Sequence, residues 1–274
     1  MRFAICNETF EGWKFADACR VVAEAGYDGI ELAPFTFAPS VEELGPAERA
    51  AIRAEAVAHG LEIVGLHWLL VSPPGLHISA ADAEVRRRTQ RYLETLIQFC
   101  ADLGGRVLVF GSPRQRSVPP GADYAEARRR ALETFAVCGR AAERYGVFFC
   151  LEPLSPEETN FMISAREAIE IIQELSMPHV RLVLDVKAMS SEGRPLPEII
   201  REGAPYLEHF HCNDANRRGP GFGATDFVPI LQALKEVGYR GYGSVEVFDY
   251  SPDPETIARQ SIAYLRRVAA AVGI

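Results

Sequence analysis

Short apolar runs rich in Val, Ile, Leu and Phe alternate along the chain with longer amphipathic stretches. The short runs have the length and composition of buried strands, and the longer stretches repeat apolar positions with the period of a helix. The predicted strands span residues 2–8, 29–33, 62–69, 107–111, 147–154, 180–186, 207–213 and 242–247. The predicted helices lie near residues 15–26, 46–59, 82–103, 123–145, 164–175, 197–203, 227–237 and 254–271. The pattern therefore predicts eight strand–helix units in succession.

Capping residues support this division and indicate how the units assemble. Ser164 and Asp226 stand at predicted helix starts, and Gly26 and Gly146 follow predicted helix ends. Eight such units in about 250 residues are typical of a (β/α)8 barrel. A doubly wound dinucleotide-binding sheet usually carries G-x-G-x-x-G after its first strand, whereas residues 7–12 read N-E-T-F-E-G. We predict an α/β fold, a single (β/α)8 TIM barrel over residues 1–274, with its active site at the C-terminal ends of the strands.

Composition and charge narrow the classes of partner. The 274 residues include 29 Lys and Arg against 37 Asp and Glu, a net charge of −8, which argues against a nucleic-acid-binding protein. Hydrophobic residues make up 48% of the chain, and no apolar run approaches the ~20 residues of a membrane span. The N-terminus turns polar too early for a signal peptide. We expect a cytoplasmic protein with no nucleic-acid or membrane partner and with its six scattered cysteines reduced.

Residues able to do chemistry stand where four consecutive predicted strands end. The fifth to eighth strands end at Glu152, Asp185, His211 and Glu246. Because these ends converge in a TIM barrel and a buried carboxylate is costly without a partner, the set predicts a bound cation. Each acid alone could instead cap a helix or pair with an arginine, but four neighbouring strands in matching phase favour one shared site. Three carboxylates and an imidazole favour one divalent metal ion, Mn²⁺ first, with Mg²⁺, Co²⁺ or Zn²⁺ as alternatives.

Several motifs around these residues resemble those of a known enzyme family. They are L-E-P-L at 151–154 followed by Glu158, L-D at 184–185, H-F-H at 209–211 followed by N-R at 216–217, and S-V-E at 244–246. The chain resembles the sugar phosphate isomerase/epimerase branch of the xylose-isomerase-like TIM-barrel superfamily, which includes the ketose 3-epimerases. The resemblance implies four metal ligands, namely Glu152, Asp185, His211 and Glu246. It also implies that two of these ligands, Glu152 and Glu246, act as catalytic acid and base. Glu158 and Arg217 are implied to contact the substrate.

Three further side chains are expected to contact the substrate, and one position departs from the family pattern. His67 and Trp68 lie at the end of the third predicted strand, and Lys187 lies just after Asp185. Lys187 could instead point outward or pair with an acid. Ketose 3-epimerases usually carry a substrate-contacting His three residues after the strand-6 Asp, and here that residue is Ala188. The departure weakens the case for simple ketose 3-epimerase activity and leaves the predicted metal ligands intact.

The predicted function is metal-dependent isomerisation or epimerisation of a keto-sugar or sugar phosphate. A metal on the carbonyl oxygen would stabilise an enediolate while one glutamate removes a proton and the other returns one. We expect the second ring nitrogen of His211 to be held by Asp214 or Glu208. The alternatives are a metal-dependent keto-sugar or inosose lyase or dehydratase and a non-catalytic sugar-binding barrel. The expected partners are a small carbohydrate substrate and, from the resemblance, further copies of the chain in a homodimer or homotetramer.

Overall fold

The apolar runs of the sequence form eight parallel strands that close into a barrel in the computed structural model, which describes residues 1–274. The strands are β1 (Arg2–Cys6), β2 (Gly29–Leu32), β3 (Glu62–Leu66), β4 (Val107–Phe110), β5 (Phe148–Leu151), β6 (Val180–Asp185), β7 (Leu207–Cys212) and β8 (Tyr242–Val245). Each strand pairs with the next along the chain, and β8 closes the barrel on β1, with Ser244 opposite Ala4. The predicted (β/α)8 TIM-barrel fold is confirmed.

Helices connect the strands around the outside of the barrel. They are α1 (Phe15–Ala25), α2 (Pro46–Ala58), α3 (Ala83–Leu103), α4 (Tyr124–Tyr145), α5 (Ala165–Leu175), α6 (Val186–Ser190), α7 (Leu196–Gly203), α8 (Phe227–Glu236) and α9 (Pro254–Val272). Local sequence sets their ends. The Ser164 hydroxyl accepts a hydrogen bond from the Glu167 N–H (3.2 Å) at the start of α5, and Gly146 ends α4 in the left-handed conformation.

The C-terminal ends of the strands differ from the sequence prediction in two respects. β3 and β5 end at Leu66 and Leu151, earlier than predicted, because only one further N–H of each, that of His67 or Glu152, still bonds to the neighbouring strand before the chain turns into the barrel mouth. The short helix α6 begins directly after β6, where the Asp185 carboxylate accepts a hydrogen bond from the Ala188 N–H (2.6 Å). The sequence pattern does not predict α6, because five residues are too few to show a helical period.

Alternation along the strands separates an outer face from an inner face. In β4, Leu108 and Phe110 join the large core between barrel and helices, whereas Val107 and Val109 belong to a separate apolar cluster inside the barrel. The same alternation continues past the strand ends. Cys150 lies in the inner cluster, so the side chain two residues further on also points toward the barrel axis. The inner face therefore carries apolar filling below and polar side chains at the mouth.

All six cysteines are buried free thiols, as predicted. Burial raises the pKa of the Cys19 and Cys212 thiols to about 12, which keeps them protonated and unreactive at neutral pH. No helix combines the length and the apolar character that crossing a membrane requires.

Candidate metal centre and active site

The four residues predicted to share a metal ion converge at the C-terminal mouth of the barrel. One ligand atom each from Glu152, Asp185, His211 and Glu246 lies within 4.8 Å of the others, and all four residues are buried. Asp185 and His211 face each other as ladder partners in β6 and β7. Glu152 and Glu246 directly follow the last residues of β5 and β8. The predicted convergence of these side chains is therefore observed.

His211 contacts two of the carboxylates in this cluster. Its Nδ1 lies 2.9 Å from Oε1 of Glu152 and 3.1 Å from Oε2 of Glu246. Asp185, the third carboxylate, accepts hydrogen bonds from the side-chain amide of Asn213 and from the Ala188 N–H. These contacts fix the orientation of the four clustered side chains before any ligand binds.

Burial and the charges of the neighbouring side chains together set the pKa values of the cluster. Burial raises the pKa of Glu152 to about 7, although His211 opposes the shift, and it also raises the pKa of Asp185. Burial acts to raise the pKa of Glu246 too, but the charge and hydrogen bond of His211 outweigh it and leave this pKa below its ordinary value. Burial acts to lower the pKa of His211, yet the surrounding carboxylates raise it well above its usual range. Because one imidazole cannot balance three buried carboxylates, the donor set fits a divalent cation.

A cavity of about 440 Å³ opens above the cluster. This volume lies within the ~300–1,000 Å³ that small-molecule sites usually have. Glu152, Asp185 and Glu246 line its floor, and His211 is buried behind them. The cavity wall includes all five side chains predicted to contact a substrate, namely His67, Trp68, Glu158, Lys187 and Arg217. The structure thus brings every predicted site residue to one cavity or to its floor.

Comparison with known proteins places this site in a family. The family model for the xylose isomerase-like TIM barrel matches residues 19–268. The chain belongs to the xylose isomerase-like TIM barrel family. This membership agrees with the resemblance that the strand-end motifs carry.

Individual relatives within this family are sugar epimerases. D-psicose 3-epimerase of Agrobacterium fabrum is 29% identical over 242 residues, which cover 86% of this chain and 80% of that protein. 3-Dehydro-D-guloside 4-epimerase of Escherichia coli is 26% identical over 276 residues, covering 97% of this chain and 99% of that protein. A crystal structure of D-psicose 3-epimerase in the presence of D-fructose matches with a TM-score of 0.87 and 25% identity, covering 100% of both chains. The comparisons identify this xylose isomerase-like barrel as an enzyme of the sugar isomerase and epimerase group.

Trp68, predicted only as a substrate contact, also binds one of the four clustered residues of this xylose isomerase-like site. Its indole Nε1–H donates a hydrogen bond to Oε1 of Glu246 (2.9 Å). The same ring stacks on Phe248, with 6.4 Å between centroids and an angle of 24° between planes. Trp68 therefore forms part of the aromatic cavity wall and also orients one carboxylate of the cluster.

Lys187 pairs with an acid inside the cavity. Its Nζ donates a hydrogen bond to Oε2 of Glu158 (2.6 Å) and lies 4.8 Å from the centre of the Phe248 ring. Of the arrangements that the sequence left open, pairing with an acid is the one observed, and the pair faces the cavity. Ala188 lies buried in α6 beside it, so a methyl group stands at the position where the family resemblance implies a histidine.

Glu31 holds the second nitrogen of His211, and the prediction of Asp214 or Glu208 for this role is wrong. Oε1 of Glu31 lies 3.3 Å from Nε2 of His211, and its Oε2 lies 2.8 Å from Nε2 of His209. Asp214 instead accepts backbone hydrogen bonds within its own loop, and Glu208 lies near surface arginines. Burial acts to raise the pKa of Glu31, but the two imidazoles hold it well below its usual range. The Glu31 carboxylate therefore stays ionised and holds Nε2 of His211 in place.

His67 is engaged by a second acid that the sequence analysis did not assign to the site. Its Nε2 lies 2.6 Å from Oε2 of Glu8, and both side chains are buried. Its Nδ1 faces Glu31 at 4.0 Å. Burial raises the pKa of Glu8 although His67 opposes the shift. A buried chain of side chains therefore runs from Glu8 through His67 and Glu31 to His211.

Proposed function

We propose that this protein is a divalent-metal-dependent isomerase or epimerase of a keto-sugar or sugar phosphate that abstracts a proton beside a carbonyl. The observation that carries the proposal is the placement of Glu152 and Glu246, which both reach His211 at the floor of one cavity. They come from β5 and β8, which are separated by two strands on one side of the barrel and four on the other. Their carboxylates therefore approach a bound molecule from different directions.

The family resemblance also supports assembly as a homodimer or homotetramer.

The proposed metal ligands are Glu152, Asp185, His211 and Glu246. Mn²⁺ is the first candidate because three of the four donors are carboxylate oxygens, and Mg²⁺, Co²⁺ and Zn²⁺ are the alternatives. When bound, a divalent ion would polarise the carbonyl oxygen and a neighbouring hydroxyl of the sugar, which stabilises developing negative charge. The contacts of Glu31 with His211 and of Asn213 with Asp185 hold two of these ligands in place from behind.

Glu152 and Glu246 are the proposed catalytic acid and base. One carboxylate takes the proton from the carbon beside the carbonyl, and the other returns a proton to the opposite face of that carbon, which inverts its configuration. Return of a proton to the adjacent carbon would instead interconvert an aldose and a ketose. A positioned carboxylate contributes on the order of 10²–10⁴-fold to such a step. The hydrogen bond from Trp68 keeps Glu246 oriented for the transfer.

The remaining cavity residues are the proposed substrate contacts. Trp68 presents a flat apolar face toward the carbon skeleton of the sugar, next to Phe248. Glu158, Lys187 and Arg217 offer acceptors and donors to its hydroxyl groups. His67 lies deeper, where its bond to Glu8 fixes the ring against the cavity floor.

Proton exchange in D₂O tests this proposal directly. The metal-loaded protein would be incubated with ketoses, ketose phosphates, inososes and 3-keto-glycosides, and each mixture followed by NMR. We expect deuterium on the carbon beside the carbonyl together with a new stereoisomer or an aldose. Glu152→Gln and Glu246→Gln should each lower the exchange rate by about 100-fold or more. Glu143→Gln, an exposed acid on α4 without an ion-pair partner, is the matched control and should leave the rate unchanged.

Other outcomes of the same experiment would redirect the assignment. A new double bond or a released leaving group would identify a lyase or dehydratase. Ala188 keeps this second candidate in view, because the usual substrate-contacting histidine is missing there. Exchange that continues undiminished in both glutamine variants would overturn the proposed acid and base. Sugar binding without any exchange would identify a non-catalytic barrel.

A further inference from the structure

Arg116 is the one lysine or arginine side chain that the fold buries completely. It directly follows the 3-10 turn Pro113–Gln115 after β4. Its Nη1 donates a single hydrogen bond, while its Nε and Nη2 have no hydrogen-bond partner. Because burying a charged group without a matching charge costs free energy, an arginine in this state requires a functional explanation.

The single hydrogen bond of Arg116 goes to the main chain of a proposed metal ligand. Its Nη1 donates to the carbonyl oxygen of Glu152 (2.6 Å). The N–H of Glu152 donates to the carbonyl oxygen of Phe110 in β4 (3.2 Å). Both main-chain polar groups of Glu152 are therefore held, one residue beyond the end of β5. Among the four clustered residues, only Glu152 has its carbonyl oxygen bound by a side chain.

The segment that carries Arg116 also borders the carboxylate of Glu152. A Cβ atom on Gly111, directly after β4, would collide with Oε2 of Glu152. The carboxylate thus passes over bare backbone at the start of this loop, while Arg116 binds the carbonyl oxygen from its far end. One loop therefore encloses Glu152 at its backbone and at its side chain.

Further contacts tie this loop to the loop after β5. The hydroxyl oxygens of Ser117 and Thr159 lie 2.9 Å apart. The N–H of Val118 donates to Oδ1 of Asn160 (2.8 Å), and Nδ2 of Asn160 donates to the Val118 carbonyl (2.9 Å). Arg116 lies directly before this pair of contacts, so its backbone is anchored to the same loop that Glu152 begins.

A space-filling role does not account for this side chain. An apolar residue of similar volume would fill the region without the cost of removing a charge from water. Arg49 shows the usual arrangement for an arginine that supports a loop. Its Nε donates to the Leu44 carbonyl (2.8 Å), and Asp102 balances its charge at 2.7 Å from Nη1. Arg116 has the carbonyl contact but lacks the balancing acid.

Resting on the proposed function, we propose that Arg116 is a positioning residue: by holding the carbonyl oxygen of Glu152, it fixes the place at which the Glu152 carboxylate meets the metal ion and the substrate. Arg116 does not line the cavity, so it acts through Glu152 and not on the sugar. Glu152 is both a proposed metal ligand and a proposed proton-transfer group. A misplacement of about 1 Å in such a group can cost on the order of 100-fold in rate.

Substitution of Arg116 tests this role. Arg116→Met keeps an unbranched side chain but removes the hydrogen bond. We expect the dissociation constant for Mn²⁺, measured by calorimetry on metal-free protein, to rise about tenfold and kcat at saturating metal to fall about tenfold, while KM changes little. Arg116→Gln, whose amide is too short to reach the carbonyl, should show the same losses and decides the test if Arg116→Met does not fold. Arg116→Lys keeps a charged donor and should recover part of both.

Arg49→Met is the matched control, because it also removes an arginine that holds a main-chain carbonyl. It should lower the melting temperature without changing the Mn²⁺ dissociation constant or kcat. A double-mutant cycle with Glu152→Gln adds a second readout. Because Arg116 acts through the Glu152 carboxylate, Arg116→Met should change the Mn²⁺ dissociation constant by less than about twofold in the Glu152→Gln background.

The outcomes separate this inference from the proposed function. Unchanged Mn²⁺ affinity and kcat in both Arg116→Met and Arg116→Gln, with only the melting temperature lowered, would overturn the positioning role and leave the isomerase or epimerase assignment standing. Additive losses in the cycle would overturn it as well. Weakened Mn²⁺ binding in these variants, without proton exchange on any sugar by the wild-type protein, would support the role of Arg116 and contradict the assigned reaction.

Discussion

Trp68 connects the aromatic wall of the cavity to its catalytic floor. Its backbone has a positive φ of 53°, which is uncommon for a large residue and places the indole between Glu246 and Phe248. Such strained residues cost on the order of 1–3 kcal/mol and are retained where surrounding contacts enforce them. Here the compensating contacts are the hydrogen bond to the carboxylate and the stack on Phe248.

Replacing Trp68 by phenylalanine separates these two contacts. Trp68→Phe keeps an aromatic ring but removes the donor to Glu246, so we expect kcat to fall by about 10- to 100-fold, because the hydrogen bond to a carboxylate is lost. KM should change much less. Trp13→Phe is the matched control because the Trp13 ring packs on Phe10 and its indole has no carboxylate acceptor. Steady-state kinetics with the identified sugar measure both values, and a rise in KM alone would mean that Trp68 only binds substrate.

Single residues also mark where prediction from the sequence ends. The four carboxylate and imidazole donors could be predicted because each ends an apolar strand, and the family motifs repeat the same positions. Glu31 carries no comparable signal. It is one acid inside the apolar run G-I-E-L, and its partners His209 and His211 lie in a strand five positions further round the barrel. Only the closed barrel brings these side chains together across its interior.

At the scale of elements, the two neighbouring strands with the fewest paired residues lie next to the site. β3 and β4 share only two residue pairs, Gly65 with Val107 and Leu66 with Leu108, whereas β4 and β5 share four. A Cβ atom on Gly65 would collide with the carbonyl oxygen and side chain of Val107. The missing side chain therefore permits the close approach of β4, and β3 leads directly into His67 and Trp68.

Gly65→Ala should weaken the pairing of β3 with β4. Because β4 must shift to make room, we expect the free energy of unfolding to fall by about 2 kcal/mol. The melting temperature should then fall by about 4–8 °C for a chain of this size. Gly45→Ala is the control, since its Cβ would meet only Glu48 Oε2 at 3.5 Å, and its effect should stay below about 1 kcal/mol. Equal losses in the two variants, measured by calorimetry, would contradict the close-approach explanation.

The elements themselves were predictable to different degrees. Eight strands and the eight helices of two or more turns could be assigned because their periodicity extends over enough residues to be recognised. The predicted C-terminal ends of the strands were less accurate, as at Leu66 and Leu151. The same residue types occur in the last positions of a strand and in the loop that follows it at the barrel mouth. Helix α6 escaped prediction altogether, and with it the local reason for the orientation of Lys187.

At the scale of the whole molecule, barrel closure determines which residues meet. The pairing of β8 with β1 places Glu246 on the same rim as Glu8 and His67, although Glu8 and Glu246 lie near opposite ends of the chain. The carboxylates carried at the ends of β5, β6 and β8 and those carried by β2 and just after β1 thus concentrate in one water-poor volume. Their mutual repulsion opposes folding, and a bound cation would relieve it.

Metal removal should therefore destabilise the whole barrel. An ion that binds only the folded state adds about 2.7 kcal/mol at a concentration 100 times its dissociation constant, so we expect a chelator to lower the melting temperature by about 5–10 °C. Burial raises the pKa of Glu152 to about 7, so below this pH a proton competes with the metal, and the stabilisation should be larger at pH 8 than at pH 6. Glu152→Gln should reduce the gain, while Glu143→Gln should not. A melting temperature that responds to none of Mn²⁺, Mg²⁺, Co²⁺ and Zn²⁺ at either pH would contradict the metal site, because a cation that bound there would have to stabilise the fold.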